Sequence, residues 1–213
     1  TRSEGIEMII LDDEQGSPEW LKSRLGRPSA SMFAKLITST GKPSVSADKY
    51  INNLVAEKIT GRSEPLFVSE HMQNGTDREP FARKAYEYIT DNKVRQVGFC
   101  LDDSEEFGCS PDGLILTDTL RSGLEIKCPT AGTHVEYMRN PQKGVTKYWA
   151  QLQGCMWIAS RPTWDFFSWH PQMPHVLVTV ERDDEFIEQL SQQVHLAVNT
   201  INETVSKHTG EIA

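Results

Sequence analysis

Two short segments in the middle of the chain, residues 109–114 and 124–129, hold the side chains best suited to chemistry. Glu125 and Lys127 lie two residues apart in an alternating apolar stretch typical of a strand, so both point to one face. Asp112 begins the preceding apolar run, and a hairpin between the two runs would bring its carboxylate close to Glu125. Two carboxylates at a strand edge suit Mg²⁺, which binds to carboxylates, water and substrate phosphate. A lysine beside a metal-bound water then predicts hydrolysis of a phosphodiester.

The spacing of Glu125 and Lys127 has a simpler explanation when it is taken alone. A glutamate and a lysine two residues apart on a strand are typical of a solvated, salt-bridged face. Two features favour the catalytic interpretation. Pro111-Asp112-Gly113 precedes the pair by the length of a short hairpin, and Leu124, Ile126 and Cys128 alternate as buried strand residues do.

The segment before this motif, residues 1–92, is predicted to be mainly helical. Helix starts are predicted at three serines that precede helical stretches: Ser17, Ser29 and Ser46. A longer helix is predicted over about 70–90, and Pro80 inside it predicts a kink or a break.

Residues 93–182 have the pattern of a sheet core, with short apolar runs separated by turn residues. Strands are predicted over 93–99, 107–110, 112–117, 124–128, 163–169 and 175–181. Arg121-Ser122-Gly123 is interpreted as part of a turn, and a helix is predicted over about 145–160.

Residues 183–213 predict a C-terminal helix, capped by Asp183 or Asp184. The chain of 213 residues is interpreted as one domain, 1–213. The order of its elements predicts an α/β fold with a mixed central β-sheet flanked by helices.

Several other residue types are interpreted as structural. The cysteines lack the paired spacing of a zinc site and are predicted to be buried free thiols: Cys100, Cys109, Cys128 and Cys155. The histidines have no metal-ligand spacing, and three are predicted to lie in loops or at the surface: His134, His170 and His175. The tryptophans in apolar stretches are predicted to belong to the core: Trp149, Trp157, Trp164 and Trp169.

Taken in order, the motifs of this chain resemble the PD-(D/E)xK nuclease superfamily and, within it, the bacteriophage lambda exonuclease family. The resemblance covers nearly the whole chain. It rests on 20–26 (WLKSRLG) with Ser29-Ala-Ser31, 75–79 (GTDRE), 109–114 (CSPDGL), 124–129 (LEIKCP) and 150–157 (AQLQGCMW). It implies a restriction-endonuclease-like core and a processive 5′-to-3′ exonuclease on linear double-stranded DNA. Such an enzyme leaves 3′ single-stranded overhangs for single-strand annealing recombination.

The resemblance also implies roles for particular residues. Asp112 and Glu125 match the metal-binding carboxylates, with the main-chain carbonyl of Ile126 as a further ligand, and Lys127 matches the catalytic lysine. Two more positions match catalytic residues: Glu79 and Gln151. By residue type alone, Glu79 would be an exposed helix acid.

A second group of positions matches the residues that hold a terminal 5′-phosphate in that family: Arg24, Ser31, Ser110 and Gln151. A guanidinium with hydroxyl and amide donors is a chemically sensible anion site. By residue type alone, Arg24 would be a surface residue and Ser31 a helix cap. Met72 matches an apolar wedge at the duplex fork, although methionine is more typical of a core.

The expected cofactor and partners follow from the same resemblance. Mg²⁺ is expected, with Mn²⁺ as a substitute, and the substrate is expected to be double-stranded DNA ends. The net charge of −8 disfavours tight DNA binding by a monomer. It agrees with the homotrimeric ring that the resemblance implies, with an acidic exterior and a basic bore. A single-strand annealing protein is the expected partner.

The sequence has no apolar stretch of the roughly 18 residues that a membrane helix needs, and no secretory signal. We therefore expect a cytoplasmic protein, in a bacterial host if phage or prophage encoded. Three other functions stay open: a PD-(D/E)xK endonuclease, a non-catalytic DNA-binding recombination partner, and a Mg²⁺ phosphohydrolase that acts on nucleotides.

Overall fold

A computed structural model describes residues 8–63, 70–116 and 121–210. Its strands are β1 (Ile9–Leu11), β2 (Val94–Arg95), β3 (Phe99–Leu101), β4 (Gly108–Cys109), β5 (Gly113–Leu116), β6 (Arg121–Lys127), β7 (Thr163–Ser168) and β8 (Val176–Glu181). Its α-helices are α1 (Pro18–Arg24), α2 (Ala47–Thr60), α3 (Glu70–Thr90), α4 (Ala131–Arg139), α5 (Pro141–Lys147), α6 (Trp149–Ile158) and α7 (Asp184–Thr209), and a 3₁₀ helix spans Ala30–Lys35.

The larger sheet is mixed, as predicted, with strand order β2-β5-β6-β7-β8. β6 and β7 are parallel, and the other neighbours in this sheet are antiparallel. A parallel pair needs a long crossover connection, and α4, α5 and α6 supply it. β6 therefore lies at the centre of the sheet, with β5 on one side and β7 on the other.

Helices cover both faces of this sheet. α3 packs on one face, where the buried residues are Ala82, Tyr86, Ile115, Leu124, Ile126 and Phe167. The 3₁₀ helix, α2, α6 and α7 build the larger core, which includes Phe33, Leu54, Leu152, Trp164, Leu190 and Val194. Because β6 is buried on both faces, its polar residue Glu125 is carried into the interior.

A second, three-stranded sheet has the order β1-β3-β4 and was not predicted. β1 lies in the segment expected to be mainly helical, and the predicted strand over 93–99 divides between the two sheets. Gly98 lies at this division. A Cβ atom on Gly98 would lie 2.3 Å from the carbonyl oxygens of Leu11 and Asp13. Only glycine therefore lets the N-terminal strand pass so close.

The prediction that Arg121-Ser122-Gly123 forms a turn is wrong, because these residues begin β6 and pair with β5. Gly123 serves packing instead: a Cβ atom there would lie 2.3 Å from the ring of Trp164, which is fully buried. The residues between the two strands, 117–120, lie outside the described part of the chain.

Of the kink or break predicted at Pro80, the break does not occur, since one helix, α3, runs from Glu70 to Thr90. Pro80 is exposed, so its ring leaves the packing of Ala82 and Tyr86 against the sheet undisturbed. The predicted wedge residue Met72 lies in this helix, and its side chain is outside the described part of the structure.

The predicted helix starts differ in their capping. The Ser17 hydroxyl accepts from the Trp20 amide at 3.1 Å, and the Asp183 carboxylate accepts from the Phe186 amide at 2.9 Å. Ser29 and Ser46 occupy the N-cap positions of their helices without a capping side-chain bond.

The four cysteines are free thiols; Cys128 is half-buried, and the other three are buried. Trp164 is fully buried, and the other predicted core tryptophans pack partly buried against the two cores.

The surface prediction for His134 is wrong. Its ring is fully buried on α4, where Nε2 donates to the Pro174 carbonyl at 2.9 Å and Nδ1 forms a hydrogen bond with the Ser168 hydroxyl at 2.8 Å. Among the described residues, no helix has the length and apolarity to cross a membrane.

Candidate active site

Asp112 and Glu125 meet where β5 begins alongside β6. The last residue pair of these strands is Gly113 with Leu124, so the edge of β6 is free of β5 beyond this point. Asp112 occupies that edge, and its Oδ2 accepts a hydrogen bond from the Ile126 amide at 2.6 Å. The predicted hairpin therefore brings the two acidic residues together.

Glu125 is 1% exposed and makes two contacts through one of its oxygens. Oε1 accepts from Lys127 Nζ and from Gln151 Nε2, the latter at 2.7 Å. Oε2 is buried and has no hydrogen-bond partner. A buried carboxylate oxygen without a partner is costly, so this oxygen is suited to binding a cation.

Lys127 lies between Glu125 and the aromatic ring of Tyr148, with Nζ 4.5 Å from the ring centroid. Burial lowers the pKa of Lys127, but Glu125 and Asp112 outweigh it and raise the pKa above its ordinary value. The side chain is therefore an ammonium group, which donates hydrogen bonds.

A third acid, Glu79, lies on α3 near Asp112 and Glu125, and we call these three residues the acidic group. Burial raises the pKa of Glu79, while Arg83, its ion-pair partner, lowers it. Burial, together with Glu125 and Glu79, raises the pKa of Asp112 well above its ordinary value. Asp112 and Glu79 therefore resist ionisation, and a bound cation would stabilise their charged forms.

The arrangement fits a divalent cation such as Mg²⁺. The Lys127 carbonyl accepts from the Trp169 amide, so the peptide groups of Lys127 face β7. Neighbouring residues on a strand direct their peptide groups oppositely, so the Ile126 carbonyl points to the Asp112 side. Among the described residues, no three His, Cys, Asp or Glu side chains form a preformed metal cage.

A second group of residues surrounds Arg24. Its Nη2 donates to the hydroxyls of Ser29 at 3.2 Å and of Ser31 at 3.3 Å, and its guanidinium lies 4.2 Å from the Trp20 ring centroid. Trp20 Nε1 donates to the Ser110 hydroxyl at 3.1 Å. Burial lowers the pKa of Arg24. We call Arg24, Ser31 and Ser110 the cup.

The cup and the acidic group are close in space. Ser110 precedes Asp112 by two residues, so one short segment contributes to both. A cavity of about 700 Å³ is lined by Glu79 and by Trp20, whose side chain contacts both Arg24 and Ser110. Gln151, which was predicted for both, hydrogen-bonds Glu125, and its contribution to the cup stays a prediction.

Sequence reasoning missed four residues of this region: Trp20, Ser29, Arg83 and Tyr148. Two of them carry a usable signal, because Trp20 precedes Arg24, and Glu79 precedes Arg83, by the four residues that bring helix side chains together. Ser29 was interpreted as a cap, whereas its hydroxyl contacts Arg24. Tyr148 gives no local signal.

Comparison with known proteins agrees with this geometry. The model of the YqaJ-like viral recombinase domain matches residues 19–162, which include every residue of the acidic group and the cup. The chain belongs to the YqaJ-like viral recombinase family. The predicted likeness to the lambda exonuclease family is thereby confirmed, and YqaJ-like membership supports a nuclease with a role in recombination. No curated protein sequence matches the chain.

Solved structures of similar fold extend the comparison. The alkaline exonuclease LHK-Exo from Laribacter hongkongensis is 31% identical, with a TM-score of 0.79 over 90% of this chain and 95% of that chain. LHK-Exo in complex with dAMP matches at 30% identity and a TM-score of 0.79, over 92% of this chain and 100% of that chain. A phage-related exonuclease from Haemophilus somnus 129PT shares the fold, at 17% identity and a TM-score of 0.68 over 85% and 96%.

Proposed function

We propose that this chain is a Mg²⁺-dependent exonuclease that digests linear double-stranded DNA from its 5′ ends and leaves 3′ single-stranded overhangs. The observation that carries the proposal is the pairing of half-buried Asp112 with buried Glu125 beside Lys127, with one Glu125 oxygen lacking a partner. Relatives are described as exonucleases, and one binds dAMP, the kind of mononucleotide that an exonuclease releases from DNA.

In this proposal Asp112, Glu125 and the Ile126 carbonyl hold the cation. When bound, Mg²⁺ supplies charge stabilisation at the scissile phosphate and lowers the pKa of the attacking water. Lys127 orients that water by donating to it, and Gln151 fixes the Glu125 carboxylate through its hydrogen bond. Mn²⁺ is expected to substitute, since it accepts the same oxygen ligands.

The 5′ polarity is inferred from the cup. A terminal 5′-phosphate carries more negative charge than an internal phosphodiester, and Arg24 gives planar recognition of such a group. The Ser31 hydroxyl contacts the guanidinium directly. The Ser110 hydroxyl accepts from Trp20, whose ring lies against the guanidinium, and both hydroxyls add hydrogen-bond donors. The short segment from Ser110 to Asp112 then sets the register between the terminal phosphate and the cation.

We further propose that three copies form a closed ring, in line with the preference of homo-oligomers for closed symmetry. Enclosure of the duplex would give processivity without many phosphate contacts, which agrees with a net charge of −8. The 3′ overhang would pass to a single-strand annealing protein.

The deciding experiment uses linear duplex labelled at the 5′ or the 3′ end, with Mg²⁺, Mn²⁺ or chelator. We expect early release of the 5′ label as mononucleotide, late release of the 3′ label, and no release in chelator. Cutting of covalently closed circular duplex would instead favour an endonuclease. Release from a free dinucleotide at the same rate as from duplex would favour a nucleotide phosphohydrolase, and DNA binding without any cleavage would favour a non-catalytic partner.

Ring formation has its own test. Light scattering at dilute protein concentration should give three times the monomer mass, and digestion should persist after excess unlabelled duplex is added. A stable monomer that continues to digest its duplex after the excess unlabelled duplex is added would contradict enclosure as the source of processivity.

A further inference from the structure

Arg83 lies one helical turn after Glu79 on α3 and ties together the segments that build the acidic group. Its side chain is 11% exposed. Nη2 forms an ion pair with Glu79, and Nε donates to the main-chain carbonyl of Asp112 at 3.1 Å. The Gln96 amide, with its oxygen facing the guanidinium, accepts from Nη1 at 2.9 Å and from Nη2 at 3.2 Å.

These acceptors come from separate parts of the chain. Glu79 lies on α3, Asp112 directly precedes β5, and Gln96 directly follows β2. One rigid guanidinium therefore fixes a helix and two loop segments relative to one another. A lysine would keep the charge but lose this role, because an ammonium is a point charge on a flexible stem and has no planar fork of donors.

The contacts with Glu79 and Asp112 bear directly on cation binding. Glu79 and Asp112 repel each other and Glu125 when they are ionised, so the acids tend to separate in the absence of a cation. Arg83 opposes this tendency by holding the carboxylate of one acid and the main chain of another.

We propose that Arg83 is a positioning residue for the divalent cation: it holds Glu79 and the main chain of Asp112 in the arrangement that binds Mg²⁺. The inference rests on the proposed function, because it takes Asp112 and Glu125 as cation ligands. Arg83 is itself positive, so its charge alone opposes Mg²⁺ binding, whereas its positioning role favours it. A substitution that keeps the charge and removes the fork separates the two effects.

The test is Mg²⁺ titration of the DNA-free protein by calorimetry, with Arg83→Lys as the main variant. Loss of an outer hydrogen-bonding partner typically weakens metal affinity or activity roughly ten- to a hundredfold. We expect Mg²⁺ binding by Arg83→Lys to weaken by about this factor, with duplex digestion reduced and partly restored by excess Mg²⁺. Lys84→Gln, which alters the exposed neighbouring cation, should bind Mg²⁺ like the wild type.

A second variant keeps the test decisive if Arg83→Lys does not fold. Gln96 is exposed, and Gln96→Ala removes one hydrogen-bond acceptor of the guanidinium while Arg83 itself is unchanged. It should weaken Mg²⁺ binding in the same direction by a smaller factor. A wild-type melting temperature in chelator, together with weaker Mg²⁺ binding, would exclude a general loss of packing. Mg²⁺ affinity that is unchanged or tighter in the folded variants would overturn the role of Arg83.

Asp112→Asn distinguishes failure of this inference from failure of the proposed function. If Asp112→Asn binds Mg²⁺ as the wild type does, the proposed cation site is wrong, and the proposed function fails with it. If Asp112→Asn loses Mg²⁺ binding while Arg83→Lys and Gln96→Ala retain it, the cation site stands and only the role of Arg83 is refuted.

Discussion

Lys127→Met removes the ammonium group from beside Glu125 while keeping a long apolar side chain. Two effects are expected from this one substitution. Duplex digestion should fall by roughly 10²- to 10³-fold, the usual cost of removing one positioned hydrogen-bond donor at a reacting centre. The metal-free protein should also become less stable, because Glu125 keeps its burial but loses its cationic partner.

The size of the stability loss follows from the burial of the pair. Removing one partner of a buried ion pair costs about 3–5 kcal/mol. The Glu125 side chain is 2% exposed, but that of Lys127 is 23% exposed, and Gln151 still donates to the carboxylate. With solvent screening at the lysine end, we expect a loss of about 2–3 kcal/mol. At roughly 2–4 °C per kcal/mol for a chain of this size, the melting temperature should fall by about 4–12 °C.

The assay is thermal melting in chelator and in Mg²⁺ at pH 8. The pKa of Lys127 is raised in the folded protein, so the lysine is charged in both the folded and the unfolded chain below its ordinary value of 10.5. Its stabilisation is therefore fully present at pH 8 and is lost only at higher pH. Mg²⁺ should narrow the gap between Lys127→Met and wild type, since a bound cation neutralises Glu125 in place of the lysine.

Lys147→Met is the matched control. Lys147 is exposed and lies 5.3 Å from the same Tyr148 ring, so this variant makes the same change of charge at the same aromatic group. It should leave melting and digestion within error of the wild type. Wild-type digestion by Lys127→Met would refute the catalytic role of the lysine. An unchanged melting temperature in chelator would refute the argument from the buried pair.

Three further predictions concern other parts of the molecule. Burial among acids raises the pKa of Asp112, so the metal-free protein should lose stability as pH rises above about 4, its ordinary value being 3.8; melting of Asp112→Asn should lack this part of the pH dependence. Wild type should prefer 5′-phosphorylated over 5′-hydroxyl duplex, and Arg24→Ala should remove the preference while Lys22→Ala keeps it; equal rates for wild type on both ends would count against the cup. Gly154→Ala places a Cβ atom 2.5 Å from a buried ring of the 3₁₀ helix and should cost about 1–3 kcal/mol in denaturant melts. Gly132→Ala, with nothing within 4 Å, should not destabilise the fold, and an equal cost for both would contradict the packing argument.

Regular, local patterns in the sequence predicted most of the elements. The alternation in β6 and the helical spacing of α7 are set by side-chain periodicity, which depends on a few neighbouring residues. The prediction failed where distant packing decides the outcome. Glycine is typical of turns, yet Gly123 lies in β6. A glycine is needed there because the Trp164 ring leaves no room for a Cβ atom. Gly98 likewise marks the division between two sheets rather than a break in one strand.

The sequence by itself determined which candidate catalytic residues lie together, since alternation on β6 places Glu125 and Lys127 on one face and a hairpin brings Asp112 beside them. The resemblance carried by the motif order added the family, which the comparisons then bore out. Only the tertiary structure decided what surrounds these groups. Gln151 reaches Glu125 across 26 residues, and Trp20 reaches Ser110 across 90. Strand periodicity fixes the face on which a side chain lies, but the partner that meets it depends on how helices from elsewhere in the chain pack, and no local pattern encodes that.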